Sequence, residues 1–553
     1  MNLCTLEHFR NVRHAHRMGA VCYLFAALFC TAAFGQQVQH IQTSVNNGNT
    51  RGAELAPLTF HATGTAAAVT ITVDPTVRDQ TIVGFGGSFT ESMAYALSKV
   101  SKAKRQEALA AYFGPTGADY TICRTHINSC DFSLGFYSYD DVANDTLLNN
   151  FNIAPDTGDL IPLIKDALAL KPDLKIFASP WSPPAWMKTN NNMAGGSLKT
   201  QCYPAWARFF SKYLTAYKQY GINMWGITIQ NESEFGAPWG GCVYSPQQQR
   251  DFLKFNLGPQ LQRDSWNVNI MFFDHNKDNM VTWADVFYGD PVASGMVWGE
   301  AIHWYAGDQF PNVATYHQKY RTRHLLATEQ CATGAPDANN ADYSTATRYA
   351  HDIIGDLTNG TEGWVDWNMV LNQQGGPNHL NNWCEAPIIA NANTGNLEYG
   401  PSYYYMKQFS KYVRPGAVRI KATSNNSSWE PVAFINPDGK IVAIVHCRGV
   451  EITTGRLICG SKQFEFPALG YTLDNFIWSD PSNVPPEALM IARQPPAKTP
   501  CALYPQLWRG DHQVLSPLDR PALTILDVAG RSIGAGLAED HAGAGMYLLR
   551  LSQ

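Results

Sequence analysis

The sequence predicts an α/β protein: a closed (β/α)8 barrel, a β-sandwich assembled from segments on either side of it, and a small C-terminal β tail. Three observations carry this. Short apolar, β-branched runs recur about eight times between residues 81 and 368, with helical patterns between many of them. After about residue 405 the helical rhythm gives way to β-like runs joined by tight turns. A strand-like alternation at 67–73 precedes the first run and belongs to a separate β layer.

In chain order, residues 1–35 read as an export signal. Arg10, Arg13 and Arg17 form a basic region, and 18–34 is mostly apolar. Ala33 and Gly35 are small residues suited to a cut before Gln36. The apolar run is short for a membrane span, no charged stop signal follows, and no later stretch is long and apolar enough to cross a bilayer. Residues 36–56 are polar and read as a loose lead-in; 36–79 as a whole supply the N-terminal strand or strands of the sandwich.

The barrel is assigned to 80–405, with strands at 81–85, 120–124, 174–178, 224–230, 268–273, 296–303, 324–328 and 363–368. The clearest helix is 204–220, where Trp206, Phe209, Phe210, Tyr213, Leu214 and Tyr217 follow the 3.6-residue period and Gly221 offers a C-cap. Strands alternating with helices imply a parallel sheet, and about eight units over roughly 300 residues favour closure. The sandwich is completed by 406–478, including a hairpin turning through Asn436-Pro437-Asp438-Gly439. Residues 479–499, rich in Pro, Ser and Ala, read as a linker. In 500–553 two strand-like runs, 523–528 and 545–551, form a β tail that resembles the C-terminal sorting domain of exported Bacteroidetes proteins.

Composition narrows the function. A charged fraction of 16% and a net charge of −5 give no reason to expect nucleic acid as partner. There are 15 Trp and 25 Tyr, residues that line clefts where sugar faces stack. Of 12 Cys, three lie in the signal, so an odd number remains and at least one thiol is unpaired; Cys123 and Cys130 are candidates for a pair. No CxxC or HExxH occurs, no metal or cofactor is called for, and His126, His275 and His303 have no carboxylate partners in sequence. Gly84-Phe85-Gly86-Gly87-Ser88 lacks the third glycine of a dinucleotide loop and reads as a tight strand-to-loop passage. No GxSxG elbow is present.

The chemistry lies at the strand ends. Active sites of such barrels sit at the C-terminal rim, where Glu91, Arg124, Trp181, Asn231, Glu232, His303, Glu329 and Trp367 collect. Two strands deliver a glutamate, Glu232 and Glu329. Glycosidic cleavage needs one carboxyl as proton donor and one as nucleophile or base. The donor needs a pKa raised by apolar surroundings, and the nucleophile needs donors such as Arg124. Trp181, in the proline-stiffened stretch 178–186, is placed to hold a sugar face.

At these residues the sequence closely resembles family 30 glycoside hydrolases of the glucosylceramidase type. The matching stretches include GFGGSFTE (84–91), SCDFS (129–133), ASPWSPPAWMK (178–188), NES (231–233), HWY (303–305), TEQC (328–331) and DWNMVLNQQGGPNH (366–379), in the family's order over roughly 80–478. The resemblance implies a barrel with a β-sandwich and hydrolysis with retention of configuration, acting on a β-glucoside or glycolipid. It implies Glu232 as acid/base, Glu329 as nucleophile and Asn231 at the sugar 2-hydroxyl. Trp181, Trp367 and Asn382 would bind sugar, with Arg124, His303 and Tyr305 around the carboxylates. Two departures stand out. Glu91 replaces an Asp, keeping a sugar-binding carboxylate with longer reach; Ser233 replaces the Pro after the acid/base and would loosen its loop. Within the same chemistry a β-1,6-glucan or β-xyloside is the alternative substrate. A non-catalytic sugar-binding barrel would be expected to lack one carboxylate, and both are present.

Overall fold

The computed structural model describes residues 35–480 apart from 63, 65–66, 337–342 and 450–452, together with three strands of the tail. The proposed signal, nearly all of the linker and the rest of the tail lie outside the described residues. Among the described residues no helix is long and apolar enough to cross a membrane.

Before the barrel come β1 (Gln37–Ser44), β2 (Thr50–Glu54), β3 (Leu58–Thr59) and β4 (Val69–Thr81). The expected loose lead-in at 36–56 is therefore a strand pair. Its polar side chains hid it. His40 and Gln42 are buried against the Asp474 carboxylate at 2.7 and 2.8 Å, so each polar group has a partner inside the sheet.

Eight parallel strands then close the barrel: β5 (Gly84–Phe89), β6 (Ile122–Ile127), β7 (Lys175–Pro180), β8 (Gly226–Thr228), β9 (Asn269–Asn276), β10 (Gly299–His303), β11 (His324–Glu329) and β12 (Gly363–Asn368). Closure runs through β12 on β5, with Gly363 opposite Gly84. The glycine cluster in β5 has a packing reason: a Cβ on Gly86 would stand 1.6 Å from the Ile122 carbonyl oxygen. The helix expected at 204–220 spans Tyr203–Gln219, burying the six aromatic and aliphatic residues expected, and Gly221 follows at φ +81°.

The barrel interior shows how the site arises. Ile122, Phe177, Met271, Ala301, Leu326 and Val365 form one buried apolar layer. Side chains two residues apart share a face of a strand. Two residues further towards the C-terminal rim stand Arg124, Ser179, His303, Thr328 and Trp367, so the next layer is mostly polar. On β9 the step is three residues. Its register against β10 jumps from Phe273 to His275, and Phe273 and Asp274 have φ of +71° and +54°. This bulge packs Phe273 on Trp283 of the helix Met280–Tyr288 and puts the Asp274 carboxylate inside the barrel.

After a small sheet of β13 (Val370–Asn372), β14 (Ile388–Asn391) and β15 (Asn396–Tyr399), six strands complete the sandwich: β16 (Val418–Ser424), β17 (Trp429–Ile435), β18 (Lys440–Cys447), β19 (Thr453–Cys459), β20 (Lys462–Ala468) and β21 (Thr472–Ser479). The hydrogen-bonded order is β2-β1-β21-β18-β17-β16-β4-β19-β20. Phe464 and Phe466 of β20 nonetheless pack, with tilted rings, against Phe476 of β21, so the sheet folds over itself into two layers around one core. Separately, the tail forms an antiparallel sheet in which Leu523–Leu526 pairs with both Ser532–Gly536 and Leu548–Leu551. Its strand at 532–536 is an addition to the two expected; its Gly-Ala-Gly run carries no β pattern.

Candidate active site

Glu232 follows β8. The Asn231 N–H donates to the Pro180 carbonyl (2.9 Å) and the Glu232 N–H to the Asp274 carbonyl (2.7 Å). These bonds hold Glu232 at φ +50°, a left-handed conformation costly for a residue with a Cβ. Ser233 does not loosen this loop. It is fully buried, donates to the Phe273 carbonyl at 2.6 Å and accepts from Gln249 at 2.7 Å, so a hydroxyl pins what a proline would have stiffened. No described side chain donates a hydrogen bond to the Glu232 carboxyl. Burial first, then the negative charges of Glu329 and Asp131, push its pKa well above the usual carboxylate range.

Glu329 ends β11 and has donors on both oxygens. Arg124 donates to Oε2, and the Tyr305 hydroxyl donates to Oε1 at 3.0 Å. Arg124, on β6, is fully buried and spends every side of its guanidinium. It also donates to Ser179 (2.9 Å), Asn231 (2.7 Å) and Asp274 (2.8 Å), and lies over the Trp181 ring, 4.8 Å from its centroid. Burial alone would lower the Arg124 pKa, but the Asp274 and Glu329 carboxylates outweigh it and raise it. Asp274 accepts in addition from Thr228 (2.6 Å) and Thr328 (2.7 Å), and bonds His303 Nε2 at 2.9 Å. Burial opposes its ionisation, yet the Arg124 charge and these bonds carry its pKa far below the ordinary carboxylate range.

Both glutamates open on one cavity of about 650 Å³. Trp181 and Trp367, stacked with centroids 5.0 Å apart, form one wall, and Tyr305 and Asn382 line it too. Arg124, Asn231 and His303 are not on the cavity wall: Arg124 reaches it through Glu329 and also bonds Asn231, while His303 bonds the buried Asp274. Glu91 is the exception among the expected residues. It opens the helix Glu91–Ser98, accepts from the Leu134 N–H at 3.1 Å, and is not on the cavity wall. The carboxyl that does line the cavity nearby is Asp131, within the SCDFS motif. It accepts from Asn382 at 2.9 Å, and burial together with the Glu329 charge pushes its pKa up to about 7. Trp239, His275 and Asn276 also line the wall without having been marked by any motif. Cys123 and Cys130 are both free and buried, whereas the sulfurs of Cys331 and Cys384 lie 3.3 Å apart at the cavity.

A parallel barrel presenting two carboxyls of contrasting environment to one aromatic-walled cavity defines a glycoside hydrolase. The family model for the glycosyl hydrolase family 30 TIM-barrel domain matches residues 82–413, that family's β-sandwich domain matches 416–466, and the chain belongs to this family. It is 33% identical over 449 residues to the lysosomal acid glucosylceramidase of Mus musculus, covering 77% of this chain and 87% of that protein. It is 30% identical to an endo-1,6-β-D-glucanase of Neurospora crassa, covering 69% of this chain and 82% of the other. The crystal structure of SrfJ from Salmonella typhimurium superimposes with a TM-score of 0.77 at 36% identity, covering 80% of this chain and all of SrfJ.

Proposed function

We propose that this glycoside hydrolase cleaves β-glucosides by double displacement, with Glu232 as acid/base and Glu329 as nucleophile. The observation that carries the assignment is the unequal provision of donors: two for Glu329, none for Glu232, on one cavity. Glu329 attacks the anomeric carbon while Glu232 gives its proton to the departing glycosidic oxygen, leaving a glycosyl-enzyme ester. Glu232, now ionised, takes a proton from water as that water attacks the anomeric carbon and releases Glu329. Asn231, bonded to the same guanidinium as Glu329 and preceding Glu232 in the chain, suits the sugar 2-hydroxyl. Trp181 and Trp367 offer the stacking wall and Asp131 with Asn382 the polar contacts.

For the leaving group we favour a glycolipid of the glucosylceramide class. Phe235, Trp239 and Trp383 line the cavity, and Leu380, an exposed large apolar residue, adjoins the lining residue Asn381 in sequence. The similarity to a glucosylceramidase supports the same choice. A β-1,6-glucan is the second reading, supported by the relative from Neurospora crassa. The basic and apolar run before Gln36 and the tail support export to the cell surface or beyond, with the tail as a sorting element. A hydrolysis panel of glucosylceramide, β-1,6-glucan, aryl β-glucoside and aryl β-xyloside tests the substrate. Preference for glucosylceramide over the glucan is expected, and the reverse order would replace the first reading by the second.

A further inference from the structure

Three side chains beside the cavity come together from separate elements: the loop after β8, the end of β9 and the end of β10. One ligating atom each of Glu232, His275 and His303 lies within 4.8 Å of the others. The three residues are 9, 8 and 0% exposed. His303 commits Nε2 to Asp274 at 2.9 Å, and its Nδ1 has no hydrogen-bond partner. The Nδ1 of His275 has none either. Buried polar atoms are nearly always satisfied, so an unpartnered imidazole nitrogen on each histidine of a cluster whose carboxyl has no donor asks for a ligand.

The donor chemistry says which. Two imidazoles and one carboxylate suit zinc and its neighbours in the first transition row, and poorly suit magnesium or calcium, which take oxygen donors. A histidine whose other nitrogen is tied to a carboxylate is the arrangement that orients and strengthens a metal-binding imidazole, and Asp274 supplies it for His303. Charge also favours a cation: Asp274 and Glu329 face the single guanidinium of Arg124, and Asp131 borders the same cavity. Metal–ligand bonds of about 2.0–2.1 Å require the three donors to draw together. Three protein ligands leave a further position open towards the cavity.

We propose that Glu232, His275 and His303 bind one divalent cation of the zinc class, and that the bound cation takes the Glu232 carboxyl out of proton transfer. The binding half stands on geometry alone; the inhibitory half rests on the acid/base role proposed for Glu232. On binding, the carboxyl oxygen and two ring nitrogens donate lone pairs to the metal, and any proton on Glu232 passes to solvent. No bond in the sugar changes and no redox step occurs.

The test uses the full chain freed of metal with a chelator and titrated with CoCl2 or ZnCl2. Expected are one cobalt ion bound per chain with a visible absorption band displaced by zinc, zinc inhibition of aryl β-glucoside hydrolysis, and recovery on adding chelator. His275→Phe and His275→Asn, each checked by thermal melting, should weaken cobalt binding at least about tenfold. The absence of saturable binding at millimolar metal, or equal affinity in whichever His275 variant folds, overturns the site. Stoichiometric binding that depends on His275 but leaves hydrolysis untouched upholds the site and overturns the acid/base role.

Discussion

Glu232 and Glu329 bear the same side chain and border the same cavity, yet the protein surrounds them in opposite ways. Around Glu329 the barrel interior turns polar: Arg124 and Tyr305 donate to it, and Arg124 is itself held by Asp274, Asn231 and Ser179. Around Glu232 the fold withholds donors and supplies burial and neighbouring negative charge, so its pKa rises. Reactivity here is decided less by which residue is present than by where a shared network of donors stops. Arg124 reaches one glutamate and, through Asn231, only the backbone neighbour of the other.

The largest effect should come from Glu329→Gln, which keeps the shape and removes the proposed nucleophile. Turnover of an aryl β-glucoside should fall by roughly 10⁴-fold or more, and near-normal turnover would erase the contrast between the two glutamates. In kcat/KM, which reports the first displacement, Glu232→Gln should cost about 10²–10⁴-fold with an alkyl leaving group and far less with a nitrophenol, which departs without a proton. Equal losses with both leaving groups would deny Glu232 the acid role.

Asp274→Asn sharpens the comparison at its hinge. Arg124 would keep its burial and lose its central counter-charge, at a cost to stability of about 3–5 kcal/mol readable by denaturant unfolding. Stability within experimental error of the parent would show that Arg124 does not depend on Asp274. The pH profile follows from the raised pKa of Glu232. The acid works only while protonated, so activity falls as pH rises through that pKa. The alkaline limb should vanish in Glu232→Gln; its persistence would assign the limb to another group.

The smallest effect lies far from the cavity, where Glu430 of β17 meets His351 and His446. Burial opposes ionisation there, but the two histidines bring the Glu430 pKa down to about 2. A lowered carboxyl pKa stabilises above the unfolded value of about 4.3 and loses that contribution as pH falls towards 2. Glu430→Gln should therefore cost on the order of 1 kcal/mol at neutral pH. Thermal melts should show the gap closing below about pH 3, and hydrolysis should be unchanged.

How much of this was legible in the residue order depends on parity. The barrel strands carry a plain period. Glu329, three residues after Leu326 and beside a register shift, was legible only as the glutamate that ends its strand, whereas Arg124 and Trp367 could be placed at the rim by counting along them. Asp274 could not, because the bulge at Phe273 and Asp274 adds one residue and turns to the interior a side chain that even spacing from Met271 would put outside. His275 was noted and set aside because no carboxylate stands near it in sequence; its neighbour in the cluster, Glu232, comes from another strand end. Asp131 sat in a motif already noted, but in a loop without periodicity, while Glu91 was drawn in by its place after β5 and proved to serve the Leu134 backbone. The strand Gln37–Ser44 hid because its polar residues find buried partners that only the folded sheet supplies.

In the proposed mechanism Glu329 alone makes the covalent bond to sugar while Glu232 serves it with a proton. Incubation with a 2-deoxy-2-fluoro β-glucosyl inactivator, followed by peptide mapping, tests this most directly. One fluoroglucosyl group per chain is expected, carried by the peptide bearing Glu329. A label on Glu232 or on any other residue, or full inactivation without a covalent label, would contradict it.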